Sequence, residues 1–266
     1  MATHSSLLAM LRKSALWGPF SRFLQRSGLK ARICSRSIMP PVKTVTADGL
    51  YVMLRLTPKP HKQPAEFCPP FPINTGPMPA EDAEFFVRFV AALSPNSVFE
   101  FGTNWGISTA LIALNTPPSA RIQTLDVCRE MFSETHLQSD PELQMILFRE
   151  HTGWQYRKQP ELMNKIEQIF ADSMQFDMAK QVSGGEVHDL IFIDACHAYE
   201  FVKKDTENAL KSVKPGGCIV WHDFYPDVSS WTGVFRAVSD FAREHTGVVH
   251  VLGTHFAIWM RPAAAA

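Results

Sequence analysis

Three places in the chain hold residue types that can do chemistry. The first is Glu100-Phe101-Gly102-Thr103-Asn104-Trp105-Gly106, an acid and two glycines after an apolar run that begins at Val98. An apolar-periodic segment from Ile107 to Leu114 follows. Glycine lets backbone turn sharply and lets a ligand come close. The first turn of the next helix, which holds Ser108, offers unpaired N–H groups to an anion such as a carboxylate. The second place is Asp126, at the end of another short apolar run. It lies about 20 residues past the glycine turn, where a carboxylate can accept hydrogen bonds from both ribose hydroxyls. The third is Asp194 and His197, together with His222 and Asp223, at or just past the ends of two further apolar runs. A histidine can act as a general base near neutral pH. Carboxylates can hold a divalent cation, which lowers the pKa of a hydroxyl beside it.

Such residues must be held by a scaffold, and the pattern predicts one. Val98 to Phe101 reads as a strand, the glycines as a tight turn, and Ile107 to Leu114 as a helix; ligands bind at such strand ends in an open α/β sheet. Arg121 to Val127 reads as a second strand and Lys165 to Ala171 as a third, followed by Asp172-Ser173. His188 to Asp194 is nearly continuous apolar, the signature of a central parallel strand buried on both faces. Ala198 to Val213 shows a helical face that Lys214-Pro215-Gly216-Gly217 ends, and Cys218 to Trp221 reads as the fifth strand. Phe86, Phe89, Val90 and Leu93 give a helix over Ala80 to Leu93, and Trp231 to Glu244 gives another. Val248 to Leu252 and His255 to Met260 flank Gly253-Thr254 as a closing hairpin. Thr44 to Leu56 alternates weakly and reads as a short strand or hairpin.

The spacing Glu-x-Gly-x-x-x-Gly has Asn104 where a dinucleotide fingerprint would carry its second glycine. It resembles the first motif of the class I S-adenosylmethionine (SAM)-dependent methyltransferases. Asp194-Ala195-Cys196-His197-Ala198-Tyr199-Glu200, then Asp205, Lys214-Pro215-Gly216-Gly217 and Trp221-His222-Asp223-Phe224 extend the match. Together they resemble the O-methyltransferases of methyltransferase domain family 24, which include enzymes that methylate sugar hydroxyls on macrolides. The resemblance covers about residues 80 to 260. It implies a doubly wound, mostly parallel seven-stranded α/β sheet with a C-terminal antiparallel hairpin. It implies SAM as cofactor, bound by Glu100, Gly102, Thr103, Asn104, Gly106, Ser108, Asp126 and Asp194, with Asp172-Ser173 facing the adenine. A turn or helix cap is the other reading of Asp172-Ser173. His197 is the expected base, with Asp194 as its catalytic neighbour. In the resembling sugar methyltransferases an acid matching Asp194 and an acidic pair hold magnesium. Here the ligand candidates are Asp194, Asp223 and His222, and His222 replaces one of the acids. Magnesium prefers oxygen ligands, so the departure either removes the metal or favours a softer ion.

The chain has 266 residues, with Lys plus Arg and Asp plus Glu at 26 each. That balance gives no global field for nucleic acid. The five cysteines form no C-x-x-C pair, which fits a reducing compartment. No apolar run approaches the roughly 20 residues that cross a bilayer. Residues 80–262 read as the catalytic domain and 42–79 as a proline-rich linker or cap. Residues 1–41 form a basic extension holding Arg12, Arg22, Arg26, Arg32 and Arg36. A cytoplasmic protein is expected, or a mitochondrial one if 1–41 is a transit peptide; peripheral membrane contact by a basic helix is the other reading. The expected partner is a small-molecule or sugar acceptor, and a homo-oligomer stays open. An N-methyltransferase or a dehydrogenase on the same fold, and a SAM-binding protein without turnover, also remain open.

Overall fold

The computed structural model describes residues 42–62, 78–140, 143–181, 188–226 and 232–263. The basic extension read over 1–41, and residues 63–77 of the proline-rich segment, lie outside the described residues.

The sheet grows outward from β5 (His188–Ile193), whose last four residues are apolar. Leu190 to Ile193 are all buried, and β5 has a parallel neighbour on each side. These are β2 (Ser97–Phe101) and β6 (Val213–Trp221). Beyond β2 lie β3 (Arg121–Asp126) and β4 (Ile166–Phe170), also parallel. Beyond β6 lies β8 (Ala257–Met260), antiparallel, then β7 (Val249–Val251) and β1 (Lys43–Val45). The order is β1-β7-β8-β6-β5-β2-β3-β4. The closing hairpin is therefore present, and seven of the strands follow the expected plan.

The eighth strand corrects the expected count of seven. Lys43–Val45 pairs in parallel with Val249–Val251. Thr46 then ends the strand and caps α1 (Ala47–Leu54), its hydroxyl accepting the Gly49 N–H at 3.0 Å. Leu50 and Tyr51 turn into the core. A side-chain cap followed by buried neighbours favours helix over the strand or hairpin read from alternation. The stretch read as a linker thus opens with elements that join the sheet.

Alternate side chains of each strand face opposite layers. Leu190 and Phe192 pack with Phe86, Phe89 and Val90 of α2 (Ala80–Leu93) and with α3 (Ile107–Asn115). Ile191 and Ile193 pack with Val202, Val238 and Phe241 of α8 (Tyr199–Ser212) and α9 (Gly233–Glu244). Each fully buried Phe contributes about 1.5–3 kcal/mol of transfer free energy. Helix layers on both faces leave the strand ends open to ligands. Between β3 and β4 run the short α4 (Glu134–Ser139), α5 (Trp154–Arg157) and α6 (Pro160–Met163), and the short α7 (Met178–Gln181) follows β4. Strand β6 begins at Val213, earlier than the Cys218 start that was expected, with a register shift against β5 between His188 and Leu190. No described helix is long and apolar enough to cross a membrane.

Candidate active site

Strand β2 ends at Phe101, and the chain turns at Gly102 with φ 96°. A Cβ on Gly102 would overlap the carbonyl of Asp194. Glycine therefore lets the end of β2 lie against the end of β5. Gly106, φ 77°, begins α3, and a Cβ there would come within 2.7 Å of Gly153 and Tyr156. The room both glycines make is taken by protein. Asn104 is exposed and left-handed at φ 46°, a conformation Asn tolerates better than most residues.

Three of the residues expected at the cofactor lie beneath the turn instead. Glu100 is fully buried and accepts hydroxyl hydrogen bonds from Ser108 at 2.6 Å, Thr109 at 2.5 Å and Thr124 at 2.6 Å. Burial pushes its carboxyl up to about 7, against the pull of those hydroxyls. Thr103 Oγ1 lies 2.6 Å from Thr124 Oγ1 and accepts from Gln168 Nε2 at 3.0 Å. Tyr156 donates its hydroxyl to Gln168 Oε1 at 2.9 Å. The side chains of Glu100, Thr103 and Ser108 thus brace the turn from below. An acid two residues before a glycine turn gave no sign of which way it would face.

Asp126 does stand at the strand end. Its Oδ2 accepts the Asn104 N–H at 2.7 Å, and its Oδ1 accepts the Val127 N–H at 2.7 Å. Burial pushes this carboxyl up to about 6. Two carboxylate oxygens offer about four acceptor positions, so capacity remains for a diol. Asp172 caps its own turn, accepting from Met174 N–H at 2.9 Å and Gln175 Nε2 at 3.2 Å. It also lines a cleft of about 510 Å³ with Met131, Phe132, Phe170 and Phe176. Cap and cleft wall are compatible roles. Ser173 is buried, so it faces inward.

The catalytic candidates do converge. Asp194 follows β5 directly, and Asp223, with φ 55°, follows His222 at the end of β6. His197 Nε2 lies 3.0 Å from Asp223 Oδ2 and 3.9 Å from Asp194 Oδ1. Its side chain is 56% exposed, so it can meet an acceptor from solvent. His222 Nδ1 lies 3.2 Å from both Asp194 Oδ1 and Asp223 Oδ2. Hydrogen bonding to Asp194, then to Asp223, as acceptors pushes the His197 imidazole up to about 10. Burial works against a charged His222, but Asp194, Asp223 and Asp82 hold it up at about 12. Burial opposes charge on Asp223 as well, yet His197 and His222 keep it well below the usual carboxylate range. The two histidines supply the positive charge that the paired carboxylates attract. Asp194, His197 and Asp223 bring their ligand atoms within 4.8 Å of one another, a donor set that fits a divalent cation.

Three residues at this site were not legible in advance. Tyr225 donates its hydroxyl to Asp223 Oδ1 at 2.9 Å. Asp82, in the first turn of α2, sits 3.0 Å from His222 Nε2 and 2.7 Å from His255 Nδ1. An acid in a first helical turn signals only favourable placement on the helix dipole, and His255 reads as part of a hairpin.

Residues 99–224 match the model of a methyltransferase domain family. A cofactor-bound structure of Rv0187 from MTB is similar, with 18% identity, 72% of this chain and 84% of that chain covered, and a TM-score of 0.52. A candidate O-methyltransferase from Klebsiella pneumoniae is similar at 17% identity, 70% and 83% coverage and a TM-score of 0.51. No curated protein sequence matches the chain significantly. At these identities the two structures speak for the fold, and the match over residues 99–224 to a methyltransferase domain is consistent with a class I SAM-dependent methyltransferase.

Proposed function

We propose that the protein is an O-methyltransferase whose acceptor is a hydroxyl of a small molecule or sugar. One observation carries the reading. His197 Nε2 stands 3.0 Å from Asp223, half exposed, at the strand edge where Gly102 abuts Asp194. With Nε2 held by Asp223, that ring offers Nδ1 to an acceptor's proton beside the glycine turn.

Bound SAM supplies an electrophilic methyl on a sulfonium, and in-line attack by the acceptor oxygen breaks the sulfur–carbon bond. With its Nε2–H held by Asp223, the neutral His197 imidazole takes the hydroxyl proton at Nδ1, so that an ether forms and S-adenosylhomocysteine leaves. Asp223 orients the imidazole and balances the charge it gains. Asp126 holds the ribose diol, and the cleft beside Asp172 receives the adenine. Asp194 and Asp223 would hold a divalent cation, which lowers the pKa of a nearby hydroxyl.

Purified full-length protein, given labelled SAM and a panel of glycans, phenols and amines, tests the reading. Label transferred to a hydroxyl is expected. Transfer to amines alone, or SAM binding with no transfer to any acceptor, would replace it.

A further inference from the structure

We propose that Asp82 is a positioning residue for His222. By holding the Nε2–H it leaves Nδ1 as a nitrogen ligand beside Asp194 and Asp223, and so tunes the site toward a nitrogen-accepting ion of the Zn2+ class rather than Mg2+. The inference rests on the cation reading above.

The argument starts from proton bookkeeping. Asp82 is fully buried, and its oxygens face N–H groups: the His255 backbone N–H at 2.9 Å, His255 Nδ1 at 2.7 Å and His222 Nε2 at 3.0 Å. An ionised carboxylate only accepts, so His222 Nε2 carries a hydrogen. The ring's open question is then Nδ1, which faces one oxygen each of Asp194 and Asp223 at 3.2 Å. A bare lone pair against two carboxylates is repulsive. The arrangement needs positive charge between them, either a proton or a metal ion. A histidine that ligates metal commonly donates its other N–H to a carboxylate, which fixes tautomer and ring orientation. Asp82 stands in that position.

The distances agree. Ligands about 2.1 Å from a shared ion lie roughly 3.0 Å apart at right angles and roughly 3.4 Å apart at the tetrahedral angle. The two 3.2 Å separations fall between. The ring is also held in place. His222 lies 5.0 Å from Phe256, centroid to centroid, and is 7% exposed. Tyr225 stacks at 4.3 Å on His255 and donates to Asp223 Oδ1, which leaves Oδ2 turned toward the histidines. Imidazole nitrogen favours zinc and its neighbours, whereas an all-oxygen set favours magnesium.

Asp82, His222 and His255 also bring ligand atoms within 4.8 Å of one another. Asp82 Oδ1 is engaged there by a backbone N–H, and the trio is more enclosed than the strand edge. The test separates the two placements.

The full-length protein, stripped by chelator, is titrated calorimetrically with Zn2+ alone and with Mg2+ alone, and SAM affinity is measured on each variant. Asp82→Asn should weaken Zn2+ by about 10–100-fold, the usual cost of losing such a partner, with SAM affinity held. His222→Asp should narrow the Zn2+-over-Mg2+ ratio by at least about tenfold by restoring an all-oxygen set. Asp223→Asn should remove most Zn2+ binding. Zn2+ affinity unchanged in Asp82→Asn would overturn the proposal. So would Zn2+ binding kept in Asp223→Asn but lost in His255→Gln, which would put the ion at Asp82. If Asp82→Asn does not fold, 15N NMR of the His222 ring in zinc-loaded wild type decides. Protonated Nε2 with metal-shifted Nδ1 supports the proposal, and protonated Nδ1 overturns it. Zn2+ tuning without methyl transfer would sink the functional reading alone; methyl transfer without the tuning would sink only this inference.

Discussion

Gly102 lies against the backbone of Asp194, so close that a single methyl group on Gly102 would overlap the Asp194 carbonyl. The glycine turn and the strand end that carries Asp194 are therefore one packed unit. Asp194 N–H adds a hydrogen bond to Phe101 O at 2.9 Å across the same seam.

Gly102→Ala should disturb both halves together. Its left-handed backbone alone costs a residue with Cβ about 1–3 kcal/mol, and the overlap adds to that. Thermal melts should show a lower transition for the variant, and added SAM should raise that transition less than in wild type. A variant that melts and responds to SAM like wild type would refute the contact.

Asp126→Ala should weaken SAM by about 1–3 kcal/mol, the range for hydrogen bonds to a charged group. The loss has two sources, since Asp126 also fixes Asn104 through its N–H. Calorimetry checks it. Tight NAD binding with no SAM binding would end the cofactor reading.

Glu100 gives a pH prediction. Its carboxyl sits at about 7 when folded, above the ordinary 4.5. The folded state thus keeps a proton that the unfolded chain has released. Linkage makes this contribution to stability fall as pH rises from about 4.5 to about 7, and level off above. Asp126, at about 6, and Asp205, at about 7, slope the same way. Glu100→Gln removes one share of the slope, so the variant should gain on wild type between pH 5 and pH 7. Denaturant titrations at the two pH values measure the difference. A gap that does not change with pH would show that Glu100 is ionised throughout.

The sheet was legible because its strands are short apolar runs with glycine or an acid at their ends, and its helices repeat apolar residues every three or four positions. Lys43–Val45 was caught only in part, within a weakly alternating stretch from Thr44 to Leu56, because a three-residue edge strand leaves almost no pattern. The strand-end candidates Asp126, Asp194, His197, His222 and Asp223 were found because topology alone delivers them to one edge. The direction of a side chain is another matter. Glu100 and Ser108 sit in the right motif yet point into the core, where Thr124 of the next strand meets the acid. Asp82 reaches His222 across 140 positions of sequence, and no local spacing encodes such a contact.

His197 carries the last prediction. Its ring is half exposed with Nε2 beside Asp223, and the residues proposed for ribose and adenine lie at the ends of β3 and β4. Removal of the imidazole should therefore act on chemistry and spare cofactor affinity. His197→Ala should lower kcat by about 10²–10⁴-fold, the usual range for a general base, with SAM affinity nearly unchanged. With the imidazole held up at about 10, its basic form grows with pH, so the deficit should widen from pH 7 toward pH 10. His197→Gln keeps a polar group of similar reach but no base, so it should be as impaired as alanine. Steady-state rates across pH, beside SAM titrations on each variant, make the comparison. Full turnover in both variants would remove His197 as the base and leave Asp194 or Asp223 to take the proton.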